Sequence, residues 1–301
     1  MWHCLRLGLS VLWICTAWFE SASAGELWPN EPPGSTTLLD CTFDTLDCDG
    51  QLLNVYKSGD IVEDDSAPGS PPRVGRASLF YPNTQGGIVL VYFKRAPLRE
   101  MYAGFWFKVN KEWQQNSVGS NKVFFLRTEN DRQGGSQTNG TWLIQGYGVP
   151  MQLVWSHNTG SQDNSHACAS DLGLICYPNV GSGKIFFGRW HRIEAYVRAS
   201  DCPTCRNGIV RWWVDGQLAG NYTNLNYGTK VVNEWVWAQT WDGHGNALGR
   251  TTDVHQYIDQ LHVSAPNCPL PCDATSRPAP APPPRDGRPT APANVRISVI
   301  R

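Results

Sequence analysis

The residues from Gly188 to Leu218 restrict the possible folds more than any other stretch: GRWHRIEAYVR, a loop bearing two cysteines, then NGIVRWWVDGQL. Both halves alternate with the two-residue period of a half-buried strand. In the first, His191, Ile193, Ala195 and Val197 point one way, while Trp190, Arg192, Glu194, Tyr196 and Arg198 point the other. In the second, Val210, Trp212 and Val214 oppose Ile209, Arg211, Trp213 and Asp215. Asp215-Gly216 then has the chemistry of a tight hairpin turn. Two neighbouring strands therefore share one apolar face and one face of aromatic rings and opposed charges.

Short alternating segments separated by Gly, Asn, Pro and Ser clusters continue along the chain. They predict strands over 37–43, 52–56, 77–81, 88–94, 102–109, 122–127, 141–147, 151–156, 190–198, 209–215, 235–241 and 254–263. Apolar residues nowhere keep helical spacing, so the expected class is all-β, a two-sheet sandwich or jelly roll. The β domain should run over 37–272, after an irregular arm at 25–36. The long loop at 157–183 carries a cysteine pair and should be ordered. Beyond Cys272 the composition shifts: 273–290 read as a proline-rich, semi-rigid linker. The tail at 291–301 resembles the first strand of a fibronectin type III module.

Trp190-His-Arg-Ile-Glu194, followed by a strand ending Val214-Asp-Gly216, resembles the concanavalin A-like lectin/glucanase superfamily, which includes laminin-G-like domains and several polysaccharide lyases. Gln256–Ser264 is similar to the closing strand of such domains, and Gly104–Val109 and Asn121–Leu126 to strands of the secreted, lyase-like branch. The likeness covers roughly residues 35–265. It implies a jelly roll that takes its ligand on the concave face of one sheet. It also implies a structural calcium on the convex side, for which Asp259 of the last strand and Asp44 near the first occupy comparable places. No other cofactor is implied.

Arg6, the apolar run Leu7–Phe19 and Ala22-Ser23-Ala24 before Gly25 read as an export signal over 1–24. That run is too short to span a bilayer, and no later stretch reaches about 18 apolar residues, so membrane insertion is not expected. A net charge of −1 with 17% charged residues leaves no basic stripe, which argues against a nucleic-acid partner. Ten cysteines include Cys4 and Cys15 of the leader, leaving close neighbours Cys41/Cys48, Cys168/Cys176, Cys202/Cys205 and Cys268/Cys272. After an export signal these read as four local disulfides. A redox pair at Cys202/Cys205, or zinc held by 202/205 and 268/272, are the competing readings. The expectation is a secreted monomer.

Fourteen tryptophans exceed what this length needs. Most should fill the core, and a minority should lie on an open face as a sugar platform. The side chains alternating away from the core nominate Lys122, Gln145, Glu194, Trp213 and Trp241 as polysaccharide contacts. The glucanase pattern Glu-x-Asp-x-Glu is absent, so retaining glycoside hydrolysis is not expected. A lyase acting on a uronate must neutralise a carboxylate, abstract a proton and protonate the leaving oxygen. Arg192, His255, Tyr257 and Tyr147 are the groups available. The alternative is a non-catalytic carbohydrate-binding or adhesion module.

Overall fold

The structure is a computed structural model. It describes residues 27–46, 48, 54–56, 59–80, 89–91, 98–115, 120–127, 138–145, 150–156, 175–202, 205–225, 234–238 and 251–266. The expected leader, linker and tail, and most of the 157–183 loop, lie outside these residues. The chain divides into two units, Met1–Cys268 and Pro269–Arg301, and every described residue belongs to the first.

Sixteen strands and no helical element are found among the described residues. They are β1 (Thr36–Cys41), β2 (Asn54–Tyr56), β3 (Gly59–Glu63), β4 (Arg73–Leu79), β5 (Val89–Val91), β6 (Glu100–Val109), β7 (Ser120–Arg127) and β8 (Thr138–Gln145). There follow β9 (Met151–Ser156), β10 (Ile175–Cys176), β11 (Lys184–Ile185), β12 (His191–Arg198), β13 (Gly208–Val214), β14 (Gln217–Leu225), β15 (Glu234–Ala238) and β16 (Val254–Ala265). The first sheet runs β14-β13-β12-β6-β16-β4-β3, with β1 also on β16; the second runs β10-β9-β8-β7-β15-β5-β2, with β11 also on β9. The chain passes repeatedly between the two sheets, as a jelly roll does.

The alternation of β12 and β13 survives intact. Ile193, Ala195, Val197, Val210, Trp212 and Val214 are all buried. Phe105 of β6 meets Phe124 of β7 and Trp235 of β15 edge-on at 5.2 and 5.7 Å, joining the sheets through rings. Several polar groups that cross the same interior are paired. The Trp212 indole donates to the Leu153 carbonyl at 3.1 Å, and the Trp237 indole donates to Gln256 Oε1 at 3.3 Å. Gln256 in turn donates to Asn121 Oδ1 and the Lys122 carbonyl. His191 is fully buried: Nε2 accepts from the Phe186 amide at 2.9 Å, so Nδ1 is left to donate to Asp215 Oδ2 at 2.8 Å.

Asp215 and Gly216 have φ of 52° and 79°, a turn with two left-handed residues whose twist matches the β13–β14 hairpin. The sequence reading missed β3, β14 and the two-residue strands β10 and β11. Gln217–Leu225 (QLAGNYTNL) is short of β-branched residues and is held by pairing with β13, a tertiary effect that outweighs weak propensity. Gly59–Glu63 is a short acidic edge strand of the same kind. Cys41–Cys48 and Cys202–Cys205 are bridged, so neither Cys202 nor Cys205 offers a thiolate for zinc. Cys176 is disulfide-bonded; Cys168, Cys268 and Cys272 lie outside the described residues.

Candidate functional site

The outer face of the first sheet carries the aromatic and charged side chains, and it falls into two halves. Over one half lies the arm before β1. The Trp28 indole sits flat on Gly104 of β6, where an added Cβ would fall 2.4 Å from the ring, and stacks on His262 with centroids 6.1 Å apart. Beneath the arm is Glu194, fully buried. It accepts from the Tyr102 hydroxyl at 2.7 Å, from the Asn30 amide at 3.0 Å and from Asn30 Nδ2 at 3.1 Å. Arg192 Nε lies 3.1 Å from it. Burial, then the Glu194 charge, drive the Tyr102 hydroxyl far above the ordinary phenol range. His262 bridges Asp40 of β1 at 2.5 Å and Glu31 of the arm at 3.0 Å. Burial pulls its pKa down, but the two carboxylates outweigh burial and hold it above the usual value.

This arrangement corrects the expectation for Glu194 and Trp213. Both alternate away from the sandwich core as read from the sequence, yet Glu194 is sealed from solvent and Trp213 packs against the Trp28–Tyr102–Tyr196 cluster. A polypeptide segment covers this half of the face on which a sugar was expected.

The other half is not covered by the arm. Lys108 of β6 reaches between the rings of Trp190 and Tyr257, 4.7 and 4.8 Å from their centroids, and is ion-paired with Asp64. Burial would raise the Asp64 pKa, but its hydrogen bonds to Lys108 and Ser66 hold it below the carboxylate range. Arg76 of β4 pairs with Asp60 of β3 and is the register partner of Tyr257 on β16. His255 stands beside Tyr257 with centroids 6.2 Å apart, and its Nδ1 lies 2.8 Å from Ser78 Oγ. Burial, then the Arg76 charge, depress the His255 pKa. Burial raises that of Tyr257. The result is a neutral imidazole and a protonated phenol beside two cations. His255 and Tyr257 were nominated by alternation; Arg76, Asp64 and Trp190 were not, because the pairing of β4 with β16 is invisible to local pattern.

The remaining nominees divide between places. Arg192 shares the outer face of the first sheet, two strands from Tyr257. Lys122 lies on β7 and Gln145 on β8, in the second sheet, where Ser120 is opposite Gln145 and Lys122 opposite Leu143. Lys122 Nζ sits over the Phe125 ring at 5.4 Å. Tyr147 and Trp241 lie outside the described residues. The structure therefore does not bring the nominated set onto one face.

The two calcium nominees are also apart in role. Asp259 is buried; its Oδ2 accepts from the Gly69 and Ser70 amides at 2.8 and 3.0 Å. Asp44 accepts instead from the Thr42 hydroxyl at 2.7 Å. One side of Asp259 is rich in oxygen, since Ser70 Oγ lies 2.5 Å from both Asp259 Oδ1 and the Thr42 carbonyl. A single hydroxyl proton serves only one of those acceptors. No group of three or more His, Cys, Asp or Glu placed to hold a metal occurs among the described residues.

No protein-family model and no curated protein sequence matches the chain. Solved structures do match. The chain superposes on an endo-β-1,4-glucuronan lyase from the fungus Trichoderma reesei with a TM-score of 0.55 and 16% identity, over 77% of this chain and 96% of that one. For the alginate lyase vAL-1 from a Chlorella virus the TM-score is 0.51 at 12% identity, over 77% of this chain and 99% of that one. At such identities the likeness is one of fold. The chain has a β-jelly-roll fold like that of these two lyases.

Proposed function

We propose that the protein is a secreted polysaccharide lyase that cleaves a uronate-containing glycan by β-elimination on the open half of the first sheet. The observation that carries this reading is the placing of His255, Tyr257, Arg76 and Lys108 on one face, with the imidazole neutral and the phenol protonated. The fold likeness to lyases of glucuronan and alginate supports this substrate class by analogy.

His255 takes the C5 proton of the uronate. Arg76 and Lys108 exchange Asp60 and Asp64 for the sugar carboxylate and stabilise the charge that develops there. The C4–O bond breaks as the C4–C5 double bond forms, and Tyr257 gives its proton to the leaving oxygen. Trp190 supplies a ring face for a neighbouring sugar. A structural calcium, if bound, would be held by Asp259, Ser70 and the Thr42 carbonyl and would support the fold without entering the chemistry.

The decisive experiment follows the absorbance of the unsaturated product on a panel of polyuronates. His255→Ala and Tyr257→Phe should each lower turnover by at least about a hundredfold, and Lys122→Ala on the second sheet should leave it near wild type. Loss in Lys122→Ala with turnover retained in the other two would move the reaction to the second sheet. The Lys108–Asp64 pair, with side chains only 13% and 15% exposed, favours a second reading, because this cation is already neutralised. That reading is a non-catalytic glycan-binding module. Retention on immobilised polyuronate with no unsaturated product would establish it.

A further inference from the structure

The arm satisfies some groups beneath it and strands others. Asn30 presents two N–H donors to Glu194, through its amide and Nδ2. Trp106 Nε1 and Arg192 Nε are buried in the same region with no hydrogen-bond partner. Arg192 Nε is near Glu194 Oε1, but the N–H is not aimed at it. Trp106 and Arg192 are register partners on β6 and β12, one step from the Gly104–Glu194 pair on which Trp28 and Asn30 rest. Trp106 and Trp213 both pack against the cluster that contains Trp28. A buried donor without a partner calls for an explanation, and one is an occupant that pairs it when bound.

The occupant that would complete this ground is chemically narrow. It must donate twice to Glu194, as Asn30 does, and must also offer acceptor oxygens to Trp106 Nε1 and Arg192 Nε. It must present a flat apolar surface where the Trp28 indole lies between Gly104 and His262. Adjacent hydroxyls of a sugar both donate and accept, and a pyranose ring has an apolar face. A carboxylate is disfavoured by the Glu194 charge. We propose that Leu27–Glu31 is a displaceable strap over a second site, and that this site takes a neutral pyranose of a glycan chain. It is distinct from the proposed lyase site and does not depend on that reading.

The strap competes with the ligand, so apparent affinity is reduced by the fraction of molecules with the strap open. Calorimetric titration with cellotetraose should give weak binding to wild type and at least about tenfold tighter binding to Trp28→Ala. Glu194→Gln in the Trp28→Ala background should remove the gain, and a glucuronate tetrasaccharide should show none. Should Trp28→Ala not fold, hydrogen exchange on the wild-type protein serves in its place: saturating cellotetraose should deprotect the amides of residues 28–31. A folded Trp28→Ala protein with unchanged affinity overturns the proposal, as does a gain that survives Glu194→Gln. Unchanged protection of the strap at saturating sugar overturns it equally.

Discussion

Single residues decide how the outer face of the first sheet behaves. Glu194 is a fully buried carboxylate whose charge is compensated by Arg192 and by donors from Tyr102 and Asn30. Replacing it by Ala would strand those donors, and urea unfolding should show a loss of about 3 kcal/mol. His262 gives a pH signature of the opposite sign to that of an acid. Its folded pKa is raised, so its contribution is complete below the unfolded value of about 6.5 and fades as pH climbs through the higher folded value. The stability gap between wild type and His262→Gln should therefore narrow from pH 6 to pH 9; a gap that widens contradicts the bridge. Asp64 acts the other way. Its depressed pKa gives stability that is present above about pH 4 and is lost as pH falls below it. In the proposed reaction, lyase activity should rise as His255 loses its proton below the ordinary histidine value. It should hold until Tyr257 ionises above the ordinary phenol value. A kcat/KM profile with its acid limb above about pH 6.5 would exclude His255 as the base.

At the scale of elements, Gly104 on β6 is the seat of the arm. Gly104→Ala should lift Trp28, raise the hydrogen exchange of residues 28–31, and cost about 1–3 kcal/mol. Protection unchanged in that variant would show that the arm is held elsewhere. The bulge of β16 between Asp259 and His262, with Gln260 at φ 46°, turns Asp259 toward the 69–70 loop. If calcium occupies that corner, chelation should lower the melting temperature by several degrees; an unchanged melting temperature removes the site. The strands β6, β12, β13 and β16 were legible because each buries one apolar face, and a period of two reports that directly. The same period says which side chains share a strand face but not which sheet the strand joins. Lys122 and His255 were therefore grouped in sequence and fall on different sheets. Trp28 and Asn30 were missed for another reason. A tryptophan in a stretch as irregular as LWPNEPP has no periodicity, and only the fold shows that it rests on Gly104.

For the molecule as a whole, the hub of the first sheet is its final strand. β16 lies between β6 and β4 and also receives β1, so Thr36 is opposite Ala265 and Cys41 opposite Leu261. Pairings this distant in sequence make folding slow, and refolding from urea should take milliseconds to seconds rather than microseconds. The order of synthesis adds a sharper constraint. While the ribosome has not yet delivered residues 254–265, β4 and β6 lack their common neighbour and β1 has nothing to pair with. A released chain truncated after Asp253 should remain open to protease, whereas one ending at Cys268 should resist it. The topology thus leaves closure of the first sheet to the last of the described strands, so its order of assembly is tied to the order of synthesis.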